Sequence, residues 1–590
     1  MQVPEKRRTA PTRQVVIAAL ALVVLGAVGA VKAGLAGADF MFDLEQTEPA
    51  LAKAPATIVD PHTPRLARRV FLVIVDGLRL DKSFELPFLD ELRRHGIDTE
   101  ATSHYPTWSR PNYVSILTGV PPTASGVRTN HHSTPVALDS LMDRAKAAGL
   151  KVAVATDYDV LPRLFLRPRK PGPEAPPPSL SLDDDDLAID DGQREELDLD
   201  ALEQPLPPAA VRSPDANLAS PFDDARYAPW PGGFSEAGAA LAATDADLIV
   251  LLVGAVDAAG HAHGGDSAEY REAAETSDRA LARALGHVDL AQDAIIVTAD
   301  HGHTGRGGHG GVEPEVLAVP LIAAGAGIRP GTTADDAHLI DLAPTVSALL
   351  GIPAPGHGLG RTLTELLALD RDQIAARYAA DTQRLTATRG IVAGATARAE
   401  TDELQERAER LALVGGGVLA AIILAMLLVR RRVLRFDWRV LLVSVPAFFI
   451  VYYALLGTLG QRFSPSLLPA QGHLAATMAK YGVAAMIVQL AASLWALRAY
   501  RTLAERLAAA NGIAMVGLVL AMVPAGLLWA FFPAPYAIVP GPVWLVLIPA
   551  VEVAVACAAI DVALILFVEV IIFAARAWHR PARATTAGQA

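Results

Sequence analysis

Six side chains in this 590-residue sequence are of the kind that hold divalent metal ions through oxygen and nitrogen: Asp76, Asp257, His261, Asp300, His301 and His309. Asp76 ends the apolar run 70–75 and is followed by Gly77, a pair that by itself is also an ordinary turn. Asp257 and His261 stand four apart in Asp257-Ala258-Ala259-Gly260-His261-Ala262-His263-Gly264, a spacing that lets both converge on one ion. Asp300 and His301 follow the apolar run 294–298, and His309 lies in Gly307-Gly308-His309-Gly310-Gly311. A lone histidine is more often structural than a ligand. Here all six residues follow runs that read as strands, and that clustering points to a metal centre. Six oxygen and nitrogen donors, three per ion, suit two divalent ions with open positions, zinc being the expected metal. His263 and His303 lie beside ligands and read as orienting or exposed groups, with a direct role as the alternative.

A candidate nucleophile stands in His104-Tyr105-Pro106-Thr107-Trp108-Ser109-Arg110-Pro111-Asn112-Tyr113, ahead of a helical pattern that runs to Gly119. Pro111 suits the first helical turn, which places Ser109 just before it as an N-cap. Taken alone, Ser109 reads foremost as that cap. The other reading is a nucleophile aimed at phosphorus, with helix amides and their positive potential offered to the phosphate. Thr107 is the competing hydroxyl, two residues earlier in an extended stretch.

These residues need a scaffold that brings strand ends together. Between residues 69 and 360, short apolar runs at 70–75, 152–156, 248–253, 294–298 and 316–322 alternate with helical patterns. Continuous apolar runs of this kind predict a mostly parallel sheet sandwiched by helices, an α/β fold. Ligands in such sheets bind beyond the carboxyl ends of the strands. Residues 162–231 break the pattern with proline and acids, including Asp183-Asp184-Asp185-Asp186, and are expected to be a solvated insertion. A calcium loop is the alternative, although the spacing matches no EF-hand.

Composition adds a membrane. Hydrophobic residues make up 52% of the chain, with mean hydropathy +0.31, both high for a wholly soluble protein. Lys6, Arg7, Arg8 and Arg13 precede an apolar run at 15–31, which reads as a signal anchor; Ala36-Gly37-Ala38 would support cleavage instead. Further apolar runs lie at about 411–429, 440–459, 474–497, 513–532 and 543–573. The last holds Pro549, Glu552, Asp561 and Glu569 and could be one tilted helix or two. Charge favours one. Arg430, Arg431, Arg432, Arg435 and Arg439, then Arg498, Arg501 and Arg506, then Arg576, His579, Arg580 and Arg583, form basic clusters that belong in the cytoplasm. Six spans place all of them there and residues from about 35 to 410 outside. The expected organisation is an anchor at 1–35, an exported catalytic domain at 36–400 and a membrane domain of about five spans at 401–590. A net charge of −12 argues against a nucleic-acid binder. Cys557 is the single cysteine, so no intrachain disulfide forms and any transition metal must be held mainly by Asp and His.

Over about residues 70–363, omitting the insertion, the chain resembles the alkaline phosphatase superfamily. The likeness is to type I phosphodiesterases/nucleotide pyrophosphatases and GPI ethanolamine phosphate transferases. It rests on Asp76-Gly77-Leu78-Arg79, Pro106-Thr107-Trp108-Ser109-Arg110-Pro111, Asp257 to His263, Asp300-His301-Gly302, and Asp341-Leu342-Ala343-Pro344-Thr345-Val346 before Leu350-Gly351-Ile352-Pro353. The resemblance implies one zinc site of Asp257, His261 and His309, and another of Asp76, Asp300, His301 and the nucleophile oxygen. It places the nucleophile on Ser109 and a phosphate-oxygen contact on Asn112. Ser-Arg-Pro without a later arginine disfavours a sulfatase. The implied activity is transfer or hydrolysis at a phosphodiester through a phospho-serine. Ethanolamine phosphate transferases share the layout of spans after the catalytic domain, which implies a lipid substrate at the outer face. A tethered nucleotide pyrophosphatase acting on soluble substrates is the alternative.

Overall fold

The run Val70–Val75 forms β1, the strand about which the site is organised, and all six of its residues are buried. A computed structural model describes residues 12–44, 49–158, 160–167, 226–229, 243–458, 464–467, 471–532 and 539–578. Beside β1 lie β5 (Leu248–Val253) and β6 (Ala294–Thr298), both parallel to it. Val75 pairs with Val253 and Ile74 with Thr298, so the three strands end at one level. That shared register carries Asp76, Asp257 and Asp300 to the same edge, and it exists because each run is apolar throughout and buried on both faces.

The full sheet has eight strands in the order β4-β3-β5-β1-β6-β7-β2-β8, with β2 at Gly96–Thr102, β3 at Val152–Thr156, β4 at Arg226–Pro229, β7 at Ala318–Gly325 and β8 at Ala337–His338. Only β7 runs against its neighbours β6 and β2. The sheet is therefore mostly parallel, as the sequence predicts. Three details differ from that reading. The expected strand at 316–322 begins at Ala318, after a short helical turn Pro314–Leu317, and is antiparallel. β2 was not foreseen because Gly-Ile-Asp-Thr-Glu-Ala-Thr is half polar, one part of it facing solvent. β4 falls within the segment read as an insertion and pairs with β3. The Asp183–Asp186 run lies outside the described residues. Helices Ser109–Thr118, Ala255–His263, Ala268–Leu285 and Leu342–Leu349 add Tyr113, Val256, Tyr270 and Val346 to the same buried core as the strands.

Among the described residues six helices are long and apolar enough to cross a membrane, beginning with Thr12–Asp43. The second, Arg371–Arg430, runs unbroken for 60 residues, roughly 90 Å at 1.5 Å per residue. Its N-terminal part is polar where it docks: Arg377, Asp381, Arg384 and Thr388 are buried at helical spacing. Arg384 donates to the carbonyls of Gly358 (2.5 Å) and Gly360 (2.7 Å) and pairs with Asp381 at 2.7 Å. Arg377 donates to the carbonyl of Ile352 at 2.8 Å. The third to sixth helices are Trp438–Thr458, Gln471–Leu497, Leu503–Phe531 and Pro542–Trp578. The last apolar run is one helix with Pro549 inside it. The chain is an integral membrane protein. Within the bundle, Arg506 and Glu569 form a bidentate pair at 2.6 and 2.7 Å, so Glu569 meets a partner charge on another helix. A small apolar cluster of Leu44, Trp108, Leu545 and Ile548 joins the loop before Ser109 to the sixth helix.

Candidate metal centre

Two groups of side chains converge at the shared strand edge: Asp76, Asp300 and His301, and Asp257, His261, His303 and His309. Within each group one donor atom per residue lies within 4.8 Å of all the others. In the first, His301 Nε2 is 3.4 Å from Asp76 Oδ1, 3.3 Å from Asp300 Oδ2 and 3.2 Å from Ser109 Oγ. In the second, His309 Nε2 is 3.0 Å from His261 Nε2 and 3.5 Å from Asp257 Oδ1, and His261 Nε2 is 3.5 Å from Asp257 Oδ2. His301 Nε2 also comes within 4.0 Å of Asp257 Oδ1, so the two groups adjoin.

Local structure accounts for each position. Gly77 turns the chain after Asp76 at φ +73°, and its N–H donates to Asp300 Oδ1 at 3.1 Å. A methyl group there would lie 2.9 Å from Asp257 Cα, so only glycine fits the approach of the two strand ends. Asp257 sits in the first turn of Ala255–His263, and His261 follows one turn later on the same face. His309 Nδ1 lies 2.8 Å from the carbonyl of Thr107, and His301 Nδ1 lies 3.2 Å from that of Gly302. A protonated Nδ1 donating to a carbonyl leaves the Nε2 lone pair facing its group.

The carboxylates of the site crowd one another. Burial, then the charges of Asp300 and Asp257, raise Asp76 well above the ordinary carboxylate range. Burial and Asp257 raise Asp300 to about 7. Burial acts on Asp257 in the same direction, but His261, the hydrogen bond from His303 (2.8 Å) and His309 outweigh it and hold Asp257 well below its usual value. Burial keeps His301 (about 3) and His309 neutral, the form that donates a lone pair. Asp76 Oδ1 and Asp300 Oδ2 are buried without a hydrogen-bond partner among the described residues. Donor separations of 3.0 to 3.5 Å match the edge of a tetrahedron about a zinc-sized ion, about 3.3 Å for bonds of 2.0–2.1 Å. The residues present fit two divalent ions, which would relieve both the charge and the orphaned oxygens.

The six residues singled out from sequence thus lie together, and His303 joins them by bonding Asp257. His263 is exposed and outside both groups. Ser109 is the first residue of its helix, and Trp108, not Ser109, is the N-cap. Proline at the third helical position costs no bond, because the first N–H groups of a helix have no partner within it. Thr107 is occupied elsewhere: its hydroxyl donates to the carbonyl of Gly311 (2.9 Å) and accepts from the N–H of Gly310 (2.8 Å). Asn112 is bonded to the backbone around Ser109. Its Oδ1 accepts from the N–H of His104 (3.1 Å), and its Nδ2 donates to the carbonyls of His104 (3.0 Å) and Trp108 (3.1 Å). It is fully buried and braces the stretch that leads into Ser109. Sequence reasoning missed Asn130, whose Oδ1 accepts from the N–H of Arg110 at 3.1 Å, and Tyr113, whose hydroxyl donates to Asp76 Oδ2. Tyr113 falls one turn after Ser109 on the helix, a spacing that could have drawn attention to it.

The family model for type I phosphodiesterase / nucleotide pyrophosphatase matches residues 70–307, the segment that holds most of this centre. The matched segment is less than half of the chain. Among curated proteins similar to this chain, GPI ethanolamine phosphate transferase 1 of Yarrowia lipolytica is 25% identical over 334 residues, 50% of this chain and 33% of that protein. The human protein of the same name is 26% identical over 331 residues, 50% of this chain and 32% of that one. The chain therefore spans about a third of the length of these relatives. A 2,3-bisphosphoglycerate-independent phosphoglycerate mutase of Ruegeria pomeroyi is 38% identical over 120 residues, 20% of this chain and 23% of that one. Among solved structures, wild type alkaline phosphatase PafA aligns with 52% of this chain and 100% of its own, at 13% identity and a TM-score of 0.34.

Proposed function

We propose that this protein is a two-metal phosphoryl-transfer enzyme that acts on a phosphodiester of a membrane lipid, with Ser109 as nucleophile. The observation that carries the reading is the position of Ser109 Oγ. It stands 3.2 Å from His301 Nε2, at the edge of one donor group, at the start of a helix whose N-cap Trp108 packs against the sixth apolar helix. Bound zinc would supply Lewis-acid polarisation and a lowered hydroxyl pKa. Ser109 gives up its hydroxyl proton as Oγ attacks phosphorus, the bond to the leaving oxygen breaks and that oxygen departs as an alcohol with a proton from solvent, and the phosphate with its remaining ester group stays on the serine. Water or an acceptor alcohol then attacks from the side the leaving group vacated and releases Ser109. Asn112 and Thr107 hold the loop, and Asp76 and Asp300 are oriented by Tyr113 and Gly77. The names of the curated relatives support phosphoethanolamine as the transferred group.

A product assay tests this. The full-length protein in lipid vesicles is expected to cleave or transfer the head group of phosphatidylethanolamine, with release or capture followed by mass spectrometry. Turnover of a nucleotide phosphodiester with no turnover of any lipid would favour the nucleotide pyrophosphatase reading.

The same reading places the catalytic domain outside the cytoplasm. The basic clusters at 430–439 and 498–506 support this, since six crossings put both on the cytoplasmic side. Reporter fusions at Pro214 are expected to report the outside and fusions at Ala590 the cytoplasm. An external reading at Ala590 would require an odd number of crossings.

A further inference from the structure

The loop that carries His309 is held from two directions, and one of them is the membrane domain. On the side of the sheet, Thr107 accepts from the N–H of Gly310 and donates to the carbonyl of Gly311, and its own carbonyl meets His309 Nδ1. On the other side lies Ser466, in the connection between the third and fourth apolar helices, in a short turn Pro465–Leu467. Ser466 is fully buried although it belongs to a connection. Its Oγ accepts from the N–H of Gly311 at 2.9 Å and donates to Glu313 Oε2 at 2.6 Å, while its own N–H donates to Ser464 Oγ at 3.2 Å.

The glycines around His309 are explained by this enclosure. Gly308 (φ +90°) faces the carbonyl of Ser466, and Gly310 (φ +112°) faces the indole of Trp108. A methyl group on Gly311 would lie 2.6 Å from Ser466 Oγ. The loop therefore lies flat against Ser466, with no room for a side chain on either side of the imidazole. A hydrogen bond to the backbone two residues from a ligand fixes that ligand's direction, as outer partners of metal ligands generally do.

We propose that Ser466 is a positioning residue for the metal centre, so that the membrane domain takes part in setting the geometry at His309. The proposal rests on the metal-centre reading given above. It is tested on the full-length protein in detergent, without substrate. Zinc affinity is measured by competition with a chelator, and the absorption of the Co2+-substituted protein reports coordination geometry. Ser466→Ala is expected to weaken one of the two ions about tenfold and to change the Co2+ spectrum. Ser466→Thr, which keeps the hydroxyl, is expected to restore both. Ser466→Cys, close in volume but a weak acceptor, is expected to fall between them and carries the test if the alanine variant does not fold. Tyr105→Phe removes a different bond between the two domains, from Tyr105 Oη to the carbonyl of Pro540 at 2.6 Å, and is expected to change neither readout. Unchanged zinc affinity and Co2+ spectrum in Ser466→Ala would overturn the positioning role, as would an equal effect of Tyr105→Phe, which marks domain docking in general. Failure of the unmutated protein to bind zinc would overturn the metal centre itself, and this proposal with it.

Discussion

Replacing Ser109 with alanine is expected to abolish the covalent phospho-enzyme and to lower turnover by at least about 10³-fold, on the order of 4 kcal/mol of barrier. Both displacements pass through that oxygen, so neither half-reaction retains its path. The geometry separates this effect from a loss of structure. Ser109 Oγ faces His301 Nε2 at 3.2 Å, and Trp108, not Ser109, caps the helix, so the variant loses no cap bond. Metal content is therefore expected to stay near two ions per chain. Thr107→Ala gives a contrasting outcome. The Thr107 hydroxyl binds Gly310 and Gly311, so its removal loosens the His309 loop while a trapped phosphoryl group is still found on Ser109 by mass spectrometry. A phosphoryl group on Thr107 in the unmutated protein would overturn the assignment.

The second large effect concerns the metal. Elemental analysis of the purified protein is expected to find close to two transition-metal ions per chain, zinc foremost. Exhaustive chelation is expected to remove nearly all activity, and readdition of zinc to restore it. His309→Ala and Asp300→Ala are each expected to lose metal and nearly all turnover, because each removes a donor from a different group. Stripping the ions leaves Asp76, Asp257 and Asp300 close together, with the charges of Asp300 and Asp257 acting on Asp76. Thermal unfolding should therefore move down on chelation. Ions at 1,000 times their Kd contribute about 4 kcal/mol to the folded state. Full activity after complete chelation would sink the two-metal reading.

The candidate donors are legible in the sequence because two independent patterns coincide in the chain. Val70–Val75, Leu248–Val253 and Ala294–Thr298 are apolar runs, each followed closely by an acid, and the last two by histidines as well. A strand buried on both faces must be apolar throughout, so its ends show in the sequence, and the residues beyond those ends share one edge. The single helix Pro542–Trp578 was legible from charge. The long helix Arg371–Arg430 was not, beyond its membrane span, because its docked face is polar. Arg377, Asp381, Arg384 and Thr388 are buried through hydrogen bonds, and hydrophobic periodicity carries no trace of them.

What the sequence determined by itself is the chemistry of the donor set and the strands that end beside it, since residue type and apolar run length are properties of the chain alone. Tertiary structure decided the remainder. Nothing local distinguishes an Asn112 that contacts phosphate from one whose amide closes on His104 and Trp108. Nothing local turns β7 antiparallel, because β2, its partner from far earlier in the chain, lacks a full apolar signal. Ser466 stands 155 residues from Gly311, and a hydrogen bond between two loops depends on where the bundle and the sheet come to rest against each other. Such contacts are made by single polar atoms with no periodicity, so they become visible only once the chain has folded.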